Sequence, residues 1–252
     1  MEIEAVVKLG GLFALSICAI ASSAFSQDAK YFSIGAALVS SGSAYSGVSA
    51  SSRFSPSIAY EDEYYKISVQ DGVAYKLVDK ESSKLSASLS PSFKPYDSSD
   101  STVLAGMSRK MTLNAKLSGS LDIVRGTALK VSYSSELTNE HGGSLLDLAV
   151  SQFMPIGGQP MIFSLGTRQH DSKLALYQYG VKTSEATLNR LAYAPGTTNV
   201  TYISLNTFYD LSRSISAFLN VSANFLPNNA KNSPIVSKGE TISALAGISY
   251  RF

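Results

Sequence analysis

The chain has 252 residues, of which 44% are hydrophobic and only 16% charged, and its formal charge is +2. A soluble globule carries about a quarter charged residues, and so small a net charge excludes a nucleic-acid partner that would need a basic surface. Nor does any apolar run reach the roughly 18 residues that a membrane-crossing helix requires, which excludes a helical membrane protein.

The first segment carries Lys8, an apolar stretch from Leu9 to Ala21, and Ala24-Phe25-Ser26 before the polar Gln27-Asp28. That order of charge, apolar core and small residues reads as a secretory signal peptide over residues 1–26, although Glu2 and Glu4 are unusual in its charged part. The only cysteine, Cys18, falls inside it, so the remainder has no thiol. Leu15-Ser16-Ile17-Cys18 departs from a lipoprotein box at the bulky Ile17. Removing the segment leaves residues 27–252 as one domain with a charge of +3, rich in Ser, Thr, Asn, Gly, Tyr and Ala. An apolar outer wall, an uncharged polar lumen and aromatic girdles are what a membrane β-barrel asks of its composition.

From Lys30 onward the pattern is alternation with a period of two, the mark of strands. It predicts strands near 30–40, 52–61, 64–71, 73–79, 83–94, 111–125, 127–138, 144–155, 159–170, 198–212, 214–227 and 240–252. Several exceed the 5 or 6 residues usual in soluble sheets and suit tilted membrane strands of about 9 to 11. The expected architecture is therefore an all-β, antiparallel up-and-down transmembrane barrel of about 12 strands. Ten is the alternative if the short pair around Asp71-Gly72 fails. A soluble sandwich also alternates, but it has no need of long strands joined by connections of alternating length. Here Asp62-Glu63, Lys80 to Ser82, Arg125-Gly126, Gly157-Gly158 and Ser212-Arg213 are short, whereas 41–51, 95–110, 171–197 and 228–239 are long. Short turns on the periplasmic side and long loops outside are the habit of such barrels.

Parity assigns a set of charges to the lumen: Arg53, Lys66, Lys76, Lys84, Lys94, Lys116, Lys130, Arg168 and Arg251 against Asp122, Glu136, Asp147 and Asp210. The excess is positive, which fits either a lumen plugged by interlocked charges or a narrow path that favours anions. A twelve-stranded barrel lies between filled and open ones, and a mostly occluded lumen is expected. Loop 171–197 is too long for a plain connector. Leu174, Leu176, Tyr177, Tyr179, Leu188, Leu191 and Tyr193 give it anchors for a lid, a cap or a contact surface.

Catalytic signals are weak. His170-Asp171-Ser172 places a base and a hydroxyl two residues apart near a rim, on one strand face, yet no third group is evident to orient the base. His141-Gly142-Gly143 lacks the several ligands of a metal site, and a tight hairpin explains the glycines. No phosphate loop or dinucleotide fingerprint occurs, so no enzyme activity, metal or cofactor is expected.

The chain ends Gly247-Ile248-Ser249-Tyr250-Arg251-Phe252, with Ile248, Tyr250 and Phe252 on the apolar face, which resembles the terminal signal read by the outer-membrane assembly machinery. Earlier landmarks are Pro56 to Tyr60, His141-Gly142-Gly143, Tyr179-Gly180-Val181, Tyr193-Ala194-Pro195-Gly196 and Ser233-Pro234-Ile235-Val236 with Gly239. Their order and spacing resemble those of the MipA/OmpV family, the MltA-interacting proteins. The resemblance implies residence in the outer membrane of a Gram-negative bacterium, among lipid and lipopolysaccharide. It also implies a scaffold that joins a lytic transglycosylase to a murein synthase in peptidoglycan turnover. Relatives are linked to adhesion, osmotic or salt response and antibiotic susceptibility, and the family offers no agreed catalytic residues to carry over. Region 95–110, rich in Ser, Asp and Lys, departs from the glycine- and acid-rich pattern of the family. A narrow anion-preferring or solute-responsive pore and a surface adhesin are the alternatives.

Overall fold

A computed structural model describes residues 30–69 and 71–252; the expected signal peptide lies outside the described residues. Twelve strands form one closed antiparallel barrel in which each strand pairs with its chain neighbours and the last pairs with the first. They are β1 (Tyr31–Ser41), β2 (Ser51–Glu61), β3 (Tyr65–Ser68), β4 (Gly72–Lys80), β5 (Ser83–Ser92) and β6 (Thr112–Val124). The second half holds β7 (Thr127–Glu136), β8 (Ser144–Ile156), β9 (Gln159–His170), β10 (Thr198–Asp210), β11 (Ile215–Phe225) and β12 (Glu240–Arg251). A helix, α1 (Ser172–Tyr179), lies in the connection between β9 and β10. No helix among the described residues is long and apolar enough to cross a membrane.

The period of two becomes a two-sided wall. Ile34, Leu38, Leu117, Leu121, Val131, Leu165, Ile203, Ile242 and Ile248 point outward and stay exposed. Between them, serines, asparagines and charges turn inward, as Asn220, Ser222, Asn224, Thr241 and Ser243 do, all buried. An apolar outer belt of this extent has no place in water and suits a bilayer. Aromatic rings gather at the rim that carries the short turns: Tyr65 with Tyr75 at 5.3 Å between centroids, Phe32 with Phe252 at 5.5 Å and Tyr250 with Phe252 at 4.9 Å.

The seam between β1 and β12 runs from Ser33 opposite Arg251 to Ser41 opposite Ser243. The terminal Phe252 N–H donates to the Phe32 carbonyl at 3.0 Å, so the three residues expected on the apolar face, Ile248, Tyr250 and Phe252, finish the barrel as its closing edge. Close approach at this seam depends on Gly35, where a Cβ would fall 2.0 Å from the Ile248 carbonyl oxygen. Leu245, which alternation from Thr241 and Ser243 puts on the polar face, is buried there against Ala37, Val39 and Phe218, a small apolar patch inside the lumen.

One expected strand is much shorter than its alternation suggested. β3 occupies Tyr65–Ser68 in place of 64–71. The cause is local: the Ser68 hydroxyl accepts from the Asp71 N–H at 2.9 Å and donates to its carboxylate at 3.3 Å. Side-chain turns of this kind compete with the ladder. Gly72 then adopts φ +76° and presses against β5, closing the hairpin early. β4 also carries a bulge between Lys76 and Val78, which shifts its parity and brings Asp79 to the same side as Lys76.

Candidate functional site

The long connections do not hang free. Loops 42–50, 93–111, 171–197 and 226–239 meet over one rim and build a hydrophobic core of their own. It contains Tyr45 from the first, Tyr96, Leu104 and Met107 from the second, Tyr179 and Val181 from the third, and Leu226, Ala230 and Ile235 from the fourth. Only Val200 comes from a strand. Full burial of a large apolar side chain stabilises by about 1.5–3 kcal/mol, and residues in an open loop obtain none of it. The four segments therefore form a packed cap.

Backbone and side-chain bonds tie the cap together. Ser46 N–H donates to the Ile235 carbonyl at 2.9 Å and Ser237 N–H to the Ala44 carbonyl at 2.8 Å. Tyr45 Oη donates to the Gln178 carbonyl at 3.1 Å, and Tyr193 Oη to that of Asn229 at 2.7 Å. Asn229 in turn reaches the Pro195 and Thr197 carbonyls at 2.9 and 2.8 Å. Loop 137–143 joins through the His141 ring, 4.5 Å from that of Tyr177, and through Gly143. At Gly143 a Cβ would fall 2.4 Å from the Leu174 backbone nitrogen.

Two arginines carry the polar side of this assembly. Arg109, with its side chain 0% exposed, makes a bidentate pair with Glu185 at 2.5 and 3.1 Å. Its Nε donates to the Tyr177 carbonyl at 2.7 Å, and its guanidinium lies over the Tyr96 and Tyr177 rings at 5.5 and 5.6 Å. Burial alone pushes the Glu185 carboxyl up, but the hydrogen bonds and charge of Arg109 outweigh that and hold it below its ordinary value. Arg190 donates to the carbonyls of Val103, Ala105 and Glu185, fastening loop 171–197 to loop 93–111. A planar fork with five donors suits both tasks, which lysine could not perform.

Beneath the cap, inward side chains of successive strands interlock. Arg168 on β9 pairs with Asp147 on β8 at 3.3 Å, lies over the Tyr202 ring at 4.1 Å and donates to Asn224 on β11 at 3.1 Å. Tyr202 on β10 donates to Asp147 at 3.0 Å. Gly166 makes room for that ring, since a Cβ there would fall 2.5 Å from it. Nearer the other rim, Lys76 meets Glu61 at 2.8 Å and Asp79 at 3.2 Å, and Asp79 also meets Lys84 at 3.5 Å.

The sequence-assigned charges are distributed as follows. Asp147 and Arg168 share the network beneath the cap, and Lys76 and Lys84 share Asp79. Glu136 ends β7 and accepts from the His141 and Gly142 N–H groups at 3.2 and 2.7 Å, serving loop 137–143. Arg251 sits 5.3 Å from the Tyr31 ring, and Arg53 sits 6.0 Å from that of Phe93. Asp122 and Asp210 are exposed toward the short-turn rim, while Lys66, Lys116 and Lys130 occupy less accessible positions that alternate with exposed apolar residues. Parity reading missed Glu61 at a strand end and Asp79 beyond the bulge. It also missed Arg109 and Glu185, because nothing in loop spacing announces a pair 76 residues apart.

The His-Asp-Ser triplet has a structural role. Asp171 caps α1 by accepting from the Leu174 N–H at 2.8 Å, His170 is buried with its ring stacked at 5.9 Å on Tyr179, and Ser172 is exposed at the start of the helix. Of the expected lid anchors, Leu174, Tyr177 and Tyr179 are buried, whereas Leu188 and Leu191 are 98% and 70% exposed.

A closed barrel with an apolar belt, aromatic rings at the short-turn rim and a capped mouth at the other defines an outer-membrane β-barrel protein. The chain belongs to the family described as MltA-interacting protein MipA, which it matches over residues 34–252. It is 28% identical over 244 residues to the Escherichia coli K12 protein named as outer membrane protein YiaT, with 96% of each chain covered, and equally so to the O157:H7 protein of that name. Among solved structures it is similar to the Pseudomonas putida toluene transporter TodX, at 9% identity, a TM-score of 0.41 and 90% of each chain covered. It is also similar to the CymD monoaromatic hydrocarbon channel, at 10% identity, a TM-score of 0.40, and 90% and 88% covered.

Proposed function

We propose that this barrel is a membrane-held scaffold that brings a lytic transglycosylase and a murein synthase together at the periplasmic rim, without a catalytic step of its own. The observation that carries the reading is the cap, a packed core built from four loops over the outer mouth and tied together by a buried ion pair. A protein whose work is diffusion through an open channel gains nothing from such a structure. The family name supports the nature of the partner.

Physical limits shape the proposal. A stable interface needs about 800 Å² on each partner, and the periplasmic rim offers only short turns between strands. Exposed apolar residues at those turns, Tyr64, Val124, Ile156 and Leu211, can supply a small contact. Binding of this kind is weak and transient, and survives only mild detergent. Co-purification after brief crosslinking is expected to recover a lytic transglycosylase. Recovery of none, beside an authentic complex carried through the same steps, would refute the scaffold.

A narrow pore is the second reading, supported by the excess of basic side chains that strand parity assigns to the lumen. The acids added by Glu61 and Asp79 offset part of that charge, which weakens any preference for anions.

A further inference from the structure

The wall of the barrel is not equally tall all round. β3 has four residues and pairs with β2 only from Ala59 to Glu61, so among the described residues nothing pairs with Ser51–Ser57 on the side away from β1. On the far side of the hairpin, β4 pairs with β5 no further than Val73 opposite Leu89, leaving Ser90–Ser92 paired only with β6. Between these flanks the wall has a window. Its sill is the hairpin of β3 and β4, and its lintel is the contact between the loops above, where a Cβ on Gly47 would fall 2.6 Å from Ser101 Oγ. A groove of about 310 Å³ lined by residues 41–43, 47–51, Pro95 and Asp100 lies among these loops and shares Ser51 with the β2 flank.

The window lies within the apolar belt. Phe54 and Pro56 on its β2 flank stand opposite Leu38 and Ala36, whose neighbours on β12 are Ala246 and Ile248. Phe54 is 84% exposed, more than any other large apolar side chain in a described strand, because the neighbouring strand that would cover it is missing.

Bare strand edges in hydrocarbon are costly, since each unpaired backbone group loses several kcal/mol. The sequence reduces that cost at both edges. The Ile58 carbonyl accepts from Val69, so Ile58 directs its polar backbone groups toward the hairpin. Alternate residues of a strand direct theirs alike, and Pro56 therefore turns its hydrogen-free nitrogen into the gap. On the other flank, Leu113 accepts from Leu137, the residue just after β7, so its partner Pro91 also faces away from β6 and into the gap. The proline at each edge removes one of the donors that an added strand would need and interrupts its ladder, while Ser52 and Phe54 keep theirs. Edges interrupted in this way disfavour an added polypeptide strand and suit an occupant that asks for no ladder.

Its chemistry is set by the two surfaces of the window. Outward stand Phe54, Pro56 and Pro91; inward stand Ser55, Ser57, Ser90 and Ser92, with Arg53 beside Phe93. Three strand spacings separate the flanks, about 14 Å between backbones, which suits one alkyl chain. We infer that the window is a lateral portal that admits and holds a single-chain amphipathic anion, a long-chain carboxylate, with its head toward Arg53 and its tail toward the membrane.

The test uses the full chain refolded into vesicles, with Cys18→Ser and an environment-sensitive fluorophore attached through Ser57→Cys. The control site is Ser164→Cys, on the intact wall of β9. A stearate with a nitroxide on its chain is expected to quench the label at position 57 and to leave that at 164 unaffected. Arg53→Gln, checked for the folded band on an unboiled gel, should weaken quenching by the carboxylate about tenfold, as loss of a charged hydrogen bond does. It should leave quenching by the methyl ester unchanged. Equal quenching at both sites, or none at 57, overturns the portal. A carboxylate response indifferent to Arg53→Gln overturns the recognition of an anion.

Discussion

Replacing Arg109 with alanine is expected to open the cap while leaving the barrel folded. The guanidinium is fully buried and shared among Glu185, the Tyr177 carbonyl and two aromatic rings, so its removal strands a carboxylate that has only partial access to water. Breaking one partner of a buried pair costs about 3–5 kcal/mol. The barrel is spared, because its ladders close without any cap residue. Limited proteolysis should cut within loop 171–197 in the variant and not in the parent protein, while heat-modifiable migration stays unchanged. Acid should act in the same direction. Glu185 has a carboxyl held below its ordinary value in the folded state, so its contribution is complete above the unfolded value of about 4.3. It is lost as pH falls through the folded value. Protease sensitivity of the parent cap is therefore expected to appear only in acid below the ordinary carboxylate range and to be absent at pH 7. A cap equally resistant in both proteins would show that the pair does not hold it.

Gly35→Val attacks the barrel itself. The glycine lies on β1 opposite Ser249, and a Cβ there would meet the Ile248 carbonyl oxygen at 2.0 Å and the Ser249 Cα at 2.8 Å, both backbone atoms that cannot rotate away. Gly247 adds a second tight point on the same seam, 2.6 Å from the Ala36 carbonyl by the same construction. The first and last strands close the barrel along this seam, and edge groups left unpaired in lipid are costly. The expected result is loss of the fast-migrating folded band on an unboiled gel and little recovery of the protein from membranes. Gly106→Val, at a loop position where a Cβ meets nothing within 4 Å, is the control for expression, although its φ of +79° carries a local strain. Normal folding of Gly35→Val would mean that the seam is looser than the register implies.

Most of the wall could be read from the chain. Alternation in 111–125, 127–138, 214–227 and 240–252 became β6, β7, β11 and β12 with boundaries shifted by a few residues. The reason is physical: with lipid on one side and a polar lumen on the other, each residue type is forced to a face. Parity fails where the backbone adds a residue. After the bulge at Lys76 and Val78 the rule inverts, so Asp79, which strict alternation from Lys76 would turn outward, lies beside Lys76. It fails again where side chains end a strand, as Ser68 and Asp71 end β3. The cap was legible only as a cluster of apolar anchors in loop 171–197. Its partners Tyr45, Tyr96, Met107 and Ile235 come from three other loops, and no periodicity links them. Gly143 illustrates the same limit, since the expected tight hairpin accounts for Gly142 at φ +58° but Gly143 is glycine because α1 passes close to it.

Single-channel recording on the refolded full-length chain, beside a variant lacking residues 173–196, reads directly whether the mouth is shut. The parent protein should be silent at neutral pH, and removal of the segment that supplies Tyr177, Tyr179, Glu185 and Arg190 to the cap should produce steady openings. A parent protein that conducts steadily, with no gain from the deletion, would contradict the closed mouth on which the scaffold reading depends.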